Sequence, residues 1–191
     1  ILKEHGPAQV IHGAGILFHL EELQSVFKGI KALLSPNGIL VAEFIYLPEM
    51  IKNCAFDQIY HEHLLYYCLS TFARFLRPFD LEPFDCEFAS IHGGSCIAYI
   101  GHKGRHPLTA KVLKTYKQEK AGKYLEITPY LKFARRVLEL RKVLRRIVSR
   151  LRKQGKTVFT LGAPVKGTTI VNYCGWDVED IQYATEINSL K

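Results

Sequence analysis

Four protogenic side chains occupy consecutive positions in the segment FDQIYHEHL: Tyr60, His61, Glu62 and His63. They fall outside any amphipathic pattern, so their density asks for a chemical explanation. In an extended backbone, period two puts Tyr60 and Glu62 on one face and His61 and His63 on the other, so that a base and an oxyanion-stabilising phenol flank one substrate. Histidine suits the base because its ordinary pKa lies near working pH. Two other readings compete. His-x-His supplies two metal ligands, although no third ligand stands at a recognisable spacing. A polar loop that hydrogen-bonds to itself needs no chemistry at all.

Three further places carry reactive or binding groups. His19, in GAGILFHLEEL, follows the first strand's carboxyl end, where open α/β sheets bind ligands, and a helix-entry histidine is the alternative. His92-Gly93-Gly94-Ser95 lies between two β-rich runs, either as a ligand-approaching loop or as a turn that needs positive φ. Gly162 to Thr169 (GAPVKGTT) ends a strand in a glycine loop, and its Lys166, Gly167 and Thr168 open a helix in the manner of an anion site. It is not a Walker A loop, because Lys166 precedes Gly167 instead of following it. Two superficial matches fail. Gly13-Ala14-Gly15 is half a dinucleotide fingerprint with Phe18 where a small residue belongs, and Tyr116 with Lys120 forms a Tyr-x-x-x-Lys spacing on a lysine-rich helix without a cofactor loop.

The elements that must position these groups alternate. A strand over 9–14, an amphipathic helix over 21–34 closed by the Ser35-Pro36-Asn37-Gly38 turn, and a strand over 39–46 make a βαβ unit. A looser stretch leads to a helix over 71–76 and two strands, 81–90 and 95–100, which suit an antiparallel sheet edge. Tyr130, Phe133, Val137, Leu140, Leu144, Ile147 and Leu151 then mark one apolar stripe on a long helix over 127–153. Beyond it, a strand over 157–161, a helix over 168–173 and a strand over 181–185 begin a second βαβ unit. The fold class expected is α/β, in three parts: 1–109, a helical linker over 110–155, and 156–191.

At 191 residues with 48% hydrophobic and 23% charged composition, the chain has enough apolar material for real cores, which excludes disorder. No apolar run approaches the roughly 18 to 20 residues that a membrane span needs. The five cysteines form no C-x-x-C pair and read as reduced thiols of a cytoplasmic protein. Ile1 in place of an initiator methionine, with patterned sequence at both ends, leads us to expect part of a longer protein. The net charge of +8 is local: residues 132–156 carry +10 and the remainder −2. A solvated arginine face explains this more simply than RNA contact.

FDQIYHEHL, IHGGS about thirty residues on, and LGAPVKGTTIVNYCG, in this order, resemble the C-methyltransferases of deoxysugar biosynthesis. These enzymes use S-adenosylmethionine to methylate a ring carbon of a nucleotide-linked keto-sugar. The resemblance extends over essentially the whole chain. It implies the later part of a Rossmann-type methyltransferase domain, a long linking helix and the start of a second Rossmann-like domain. The family's zinc domain and the glycine loop for S-adenosylmethionine would precede Ile1, so no cofactor-binding residue and no metal ligand is assigned to this chain.

Carried over residue by residue, the Tyr-His-Glu-His block implies His63 as the base, Tyr60 and Glu62 as its substrate-side companions and His19 as a second pocket histidine. His92, Ser95, Lys166, Gly167 and Thr168 would meet the substrate. Three departures stand out. Ala14-Gly15 replaces a pair of asparagines, Ile97 stands at a frequent arginine, and Glu186-Ile187-Asn188-Ser189 replaces an Asp-Arg-Asn-Pro-like ending. Readings from other classes are a non-catalytic phosphosugar-binding module and a basic-helix RNA-binding protein.

Overall fold

The computed structural model describes residues 1–186, which fold as two compact units. The first comprises Ile1–Asn53 and His61–Pro129, and the second comprises Cys54–Tyr60 and the chain from Tyr130 on. Of the departing sequence Glu186-Ile187-Asn188-Ser189, only Glu186 lies among the described residues.

In the first unit a short helix α1 (Leu2–His5) precedes β1 (Ala8–Ala14), α2 (Leu23–Leu33) and β2 (Leu34–Ile45). The two strands are parallel, with Val10 opposite Ile39 and Ala14 opposite Glu43, as a βαβ unit requires. Ser35-Pro36-Asn37-Gly38 does not separate helix from strand as expected. The strand begins at Leu34, and these residues form an irregularity within it, between the pairs Ala8–Leu34 and Val10–Ile39. Pro36 brings no N–H to the ladder. Gly38 is needed because a Cβ there would stand 2.7 Å from the Ala8 carbonyl oxygen.

After β2 come α3 (Leu47–Lys52), α4 (Leu69–Leu76), β3 (Leu81–Ala89), β4 (Ser95–His102) and α5 (Ala110–Gly122). The sheet order is β1-β2-β4-β3, with β4 antiparallel to both neighbours, so the hairpin expected at a sheet edge is present. The stretch read as loose before residue 71 contains α3, which Pro48 opens in the first helical turn, where its missing N–H costs nothing. One face of the sheet packs on aromatic residues: Phe44 of β2 lies 4.9 Å from Phe72 of α4, and Phe72 lies 5.8 Å from Phe27 of α2, by ring centroids.

Glu119 of α5 is 4% exposed, yet its carboxylate is fully used. It accepts from the Tyr46 hydroxyl (2.8 Å), the Leu69 N–H (2.7 Å) and the Ser70 N–H (2.8 Å). It therefore caps the N-terminus of α4 from another helix and meets the positive end of that helix dipole. Burial and the neighbouring carboxylate both push the Tyr46 phenol far above its ordinary pKa, which keeps it a donor. Glu119→Ala would strand these donors and should cost about 3 kcal/mol or more, read as a fall in the urea midpoint of unfolding.

The second unit contains most of α6 (Thr128–Lys153), then β5 (Phe159–Leu161), α7 (Val165–Cys174) and β6 (Tyr183–Thr185). The helix α6 is continuous, but its stripe is not the one expected. Phe133, Val137 and Val148 are buried, whereas Ile147 is 41% exposed. A seven-residue repeat drifts by about 20° per heptad on a straight helix, so by the third turn pair Val148 has rotated into the inward position. The arginines also do more than face solvent. Arg141 stacks 5.3 Å from the Tyr173 ring centre, and Arg145 donates to the Cys174 carbonyl at the C-terminus of α7. Arg152 donates to the Glu179 carbonyl and the Gln182 side chain, both at 2.8 Å. Strands β5 and β6 are parallel, completing a second βαβ unit. Val148→Ala should lower stability by roughly 2 kcal/mol while Ile147→Ala changes it by less than about 0.5, as calorimetry of both variants would read.

Candidate active site

The loop after β1 and the segment after His61 meet at the carboxyl end of the parallel strands. Leu64 donates its N–H to the Phe18 carbonyl at 2.8 Å, and the Tyr67 hydroxyl donates to the Leu17 carbonyl at 3.3 Å. Leu17 and Phe18 are buried, so this loop is anchored by its apolar residues and presents His19 beyond them.

His19 and His63 come together although 44 positions separate them: their ring centres are 5.0 Å apart at 66°. Phe18 packs on both, 4.6 Å from His19 and 4.7 Å from His63. His63 is 7% exposed, while His19, His61 and Glu62 are exposed. The contact of Glu62 with His19 uses the main chain: Nδ1 of His19 lies 2.8 Å from the Glu62 carbonyl oxygen. A carbonyl only accepts, so Nδ1 carries a proton, and in a neutral ring the lone pair is then on Nε2. The Glu62 carboxylate is half exposed, with the His61 ring 3.9 Å away. Tyr60 closes the segment Cys54–Tyr60, which belongs to the second unit, where Phe56 packs 5.0 Å from Tyr173.

His92-Gly93-Gly94-Ser95 forms a tight turn leading into β4. His92 takes a left-handed φ of 52°, and Gly94 takes φ 124°. A Cβ on Gly94 would stand 2.4 Å from the Cβ of Glu49, so the turn presses on α3 and admits only glycine. The Gly93 carbonyl accepts from Asn53 and the Gly94 carbonyl from Tyr46, both at 2.9 Å. Ser95 is buried, and its hydroxyl donates to the Ile91 carbonyl at 3.3 Å.

In the second unit α7 begins at Val165, three residues earlier than the glycine pattern indicates. Lys166, Gly167 and Thr168 therefore lie in its first turn. The Gly162 N–H donates to the Thr185 carbonyl (2.8 Å) and the Ala163 N–H to the Glu186 carboxylate (2.9 Å), so two loop donors already face the end of β6. A cavity of about 540 Å³ adjoins this loop, lined by Gly162, Pro164, Thr168, Trp176 and Tyr183 among others.

Sequence reasoning missed Glu43. It is 8% exposed at the carboxyl end of β2, and its Oε1 has no hydrogen-bond partner among the described residues. A single acid inside the apolar run ILVAEFIY was the available signal. Among the described residues, no group of three or more His, Cys, Asp or Glu side chains could hold a metal ion, and no helix is long and apolar enough to cross a membrane.

Comparison with known proteins gives the family. Residues 90–191 match the C-methyltransferase C-terminal domain, and the chain belongs to this family. Over 192 residues, all of this chain, it is 31% identical to the C-methyltransferase NovU of Streptomyces niveus, and it spans 46% of that relative's length. Gly94→Ala should cost roughly 2 kcal/mol or more through the clash with Glu49, read as a lower thermal midpoint.

Proposed function

We propose that this chain forms part of an S-adenosylmethionine-dependent C-methyltransferase that acts on the ring carbon next to the ketone of a nucleotide-linked sugar. The observation that carries the reading is the packed His19–His63 pair, one ring fixed by a main-chain carbonyl and the other buried beside it. Family membership and the resemblance to a sugar-acting C-methyltransferase motif support the substrate class. Residues 1–109 then belong to a Rossmann-type methyltransferase domain, 110–155 is helical linker, and 156–191 begins a second Rossmann-like domain. A cytoplasmic location accords with five free cysteines.

The ketone acidifies the carbon beside it, but only weakly, so the protein must supply a base and stabilise the enolate oxygen. His63 is that base. His19, held by Nδ1, offers Nε2 to the substrate as the second histidine. Tyr60 and Glu62 act as substrate-side companions, the phenol donating to oxygen and the carboxylate accepting from hydroxyl. His92, and in the second unit Lys166, Gly167 and Thr168, are assigned to substrate binding, the lysine toward phosphate; Ser95, buried with its hydroxyl on the Ile91 carbonyl, shapes the turn instead. S-adenosylmethionine, when bound, supplies an electrophilic methyl on a cationic sulfur. The orphaned carboxylate of Glu43 fits a group of that charge.

The test is incorporation of labelled methyl at carbon by the whole gene product. His63→Asn should reduce kcat by about two to four orders of magnitude with KM little changed, the share of a general base. Near-normal turnover in His63→Asn together with its loss in His19→Asn would transfer the role of base to His19.

A further inference from the structure

Glu43 occupies an unusual electrostatic position. Register places Ala14 on one side of it and Ile97 on the other, neither of which can donate a hydrogen bond from its side chain. Gly15 lies over it: a Cβ at that position would be 3.8 Å from Oε2, and the Gly15 N–H is spent on the Glu43 main-chain carbonyl at 3.2 Å. Farther along the same row, Glu87 faces Ile97 and pairs with Lys111 at 3.7 Å, which uses that cation elsewhere. A carboxylate removed from water in this way is costly unless a charge or donor meets it, and Oε1 meets none.

Gly15 joins β1 to the loop that carries His19, so this carboxylate sits beneath the candidate site and not on a remote surface. On the reading above, the methyl group must reach the carbon that the base deprotonates, which brings a positive sulfur to this same strand edge. We propose that Glu43 is the anionic partner of that sulfonium and distinguishes S-adenosylmethionine from its demethylated, neutral product. This rests on the proposed methyltransferase function. Such a contact strengthens binding of the charged reactant more than that of the product. Glu43 is therefore a specificity residue that favours exchange of spent cofactor, and it does not speed the chemical step.

The experiment is equilibrium binding of S-adenosylmethionine and of S-adenosylhomocysteine to the whole gene product and its Glu43→Gln variant, by calorimetry without sugar substrate. Expected is a loss of about tenfold or more in affinity for S-adenosylmethionine, with S-adenosylhomocysteine binding within about twofold of the parent. Retained binding of the neutral ligand also shows that the variant is folded. Equal losses for both ligands, or no loss for either, would overturn the proposal while leaving the methyltransferase reading intact. Failure of the unsubstituted protein to bind either ligand would overturn both.

Discussion

Much of the first unit is arranged around one buried carboxylate that has no part in chemistry. Glu119 draws the end of β2, through Tyr46, and the first turn of α4, through Leu69 and Ser70, to a single point on α5. Removing three donors from water is affordable only because one anion satisfies all of them, and the anion tolerates burial only because it has all three. What lies beyond follows from this anchorage. Leu47, next to Tyr46, donates to the Tyr67 carbonyl, Tyr67 reaches back to Leu17, and the following residue, Phe18, holds the histidine pair. The path from structural carboxylate to candidate base is thus a continuous run of hydrogen bonds and aromatic contacts.

The second unit solves a related problem with opposite charge. Its βαβ layer is thin, with three-residue strands, and its exposed edges offer little apolar area for holding it to α6. Arginines compensate. Arg145 meets the last carbonyl of α7, where the negative end of the dipole lies, and Arg152 gathers two acceptors from the turn before β6. The +10 segment is therefore not simply a solvated face, nor does it present all of its cations to a polyanion. A guanidinium with several donors can serve neighbouring main-chain acceptors while its stem still covers apolar surface.

Periodicity made the architecture legible. Both βαβ units, the hairpin at the sheet edge and the long helix stand in the sequence as alternation, turn residues and a helical stripe. Details failed where a local rule met a tertiary constraint. The Ser-Pro-Asn-Gly turn was absorbed into β2 because parallel pairing with β1 resumes on either side of it. Ile147 lost its inward place because a seven-residue count does not match 3.6 residues per turn. Of the candidate site, the histidines were visible by type, and the family motif named them. Their convergence on one pocket was implied by the family motif and not by spacing, because it depends on which loop lies over which strand end. Glu119 and Glu43 were illegible for a different reason: one acid in a lysine-rich helix and one in an apolar run look alike until the donors around them are known.

The way His19 is held bears on Glu62. His63 is buried and packs against Phe18 and His19. His19 is held by a 2.8 Å hydrogen bond to a main-chain oxygen, which orients the ring and places a proton on Nδ1. Because the carbonyl of Glu62 does this work, the side chain is not needed for it, and its carboxylate is half exposed, 3.9 Å from His61. Orientation and chemistry are thereby separated within one residue: the backbone sets the second histidine, and the side chain is left to meet a sugar hydroxyl on the proposed reading. That separation gives a physical reason for packing so many protogenic groups into consecutive positions. The period-two reading requires an extended segment, but His61 and Glu62 form a turn, so the four residues do not alternate between two faces; Glu62 serves as scaffold through its carbonyl and, on the proposed reading, as reagent through its carboxylate.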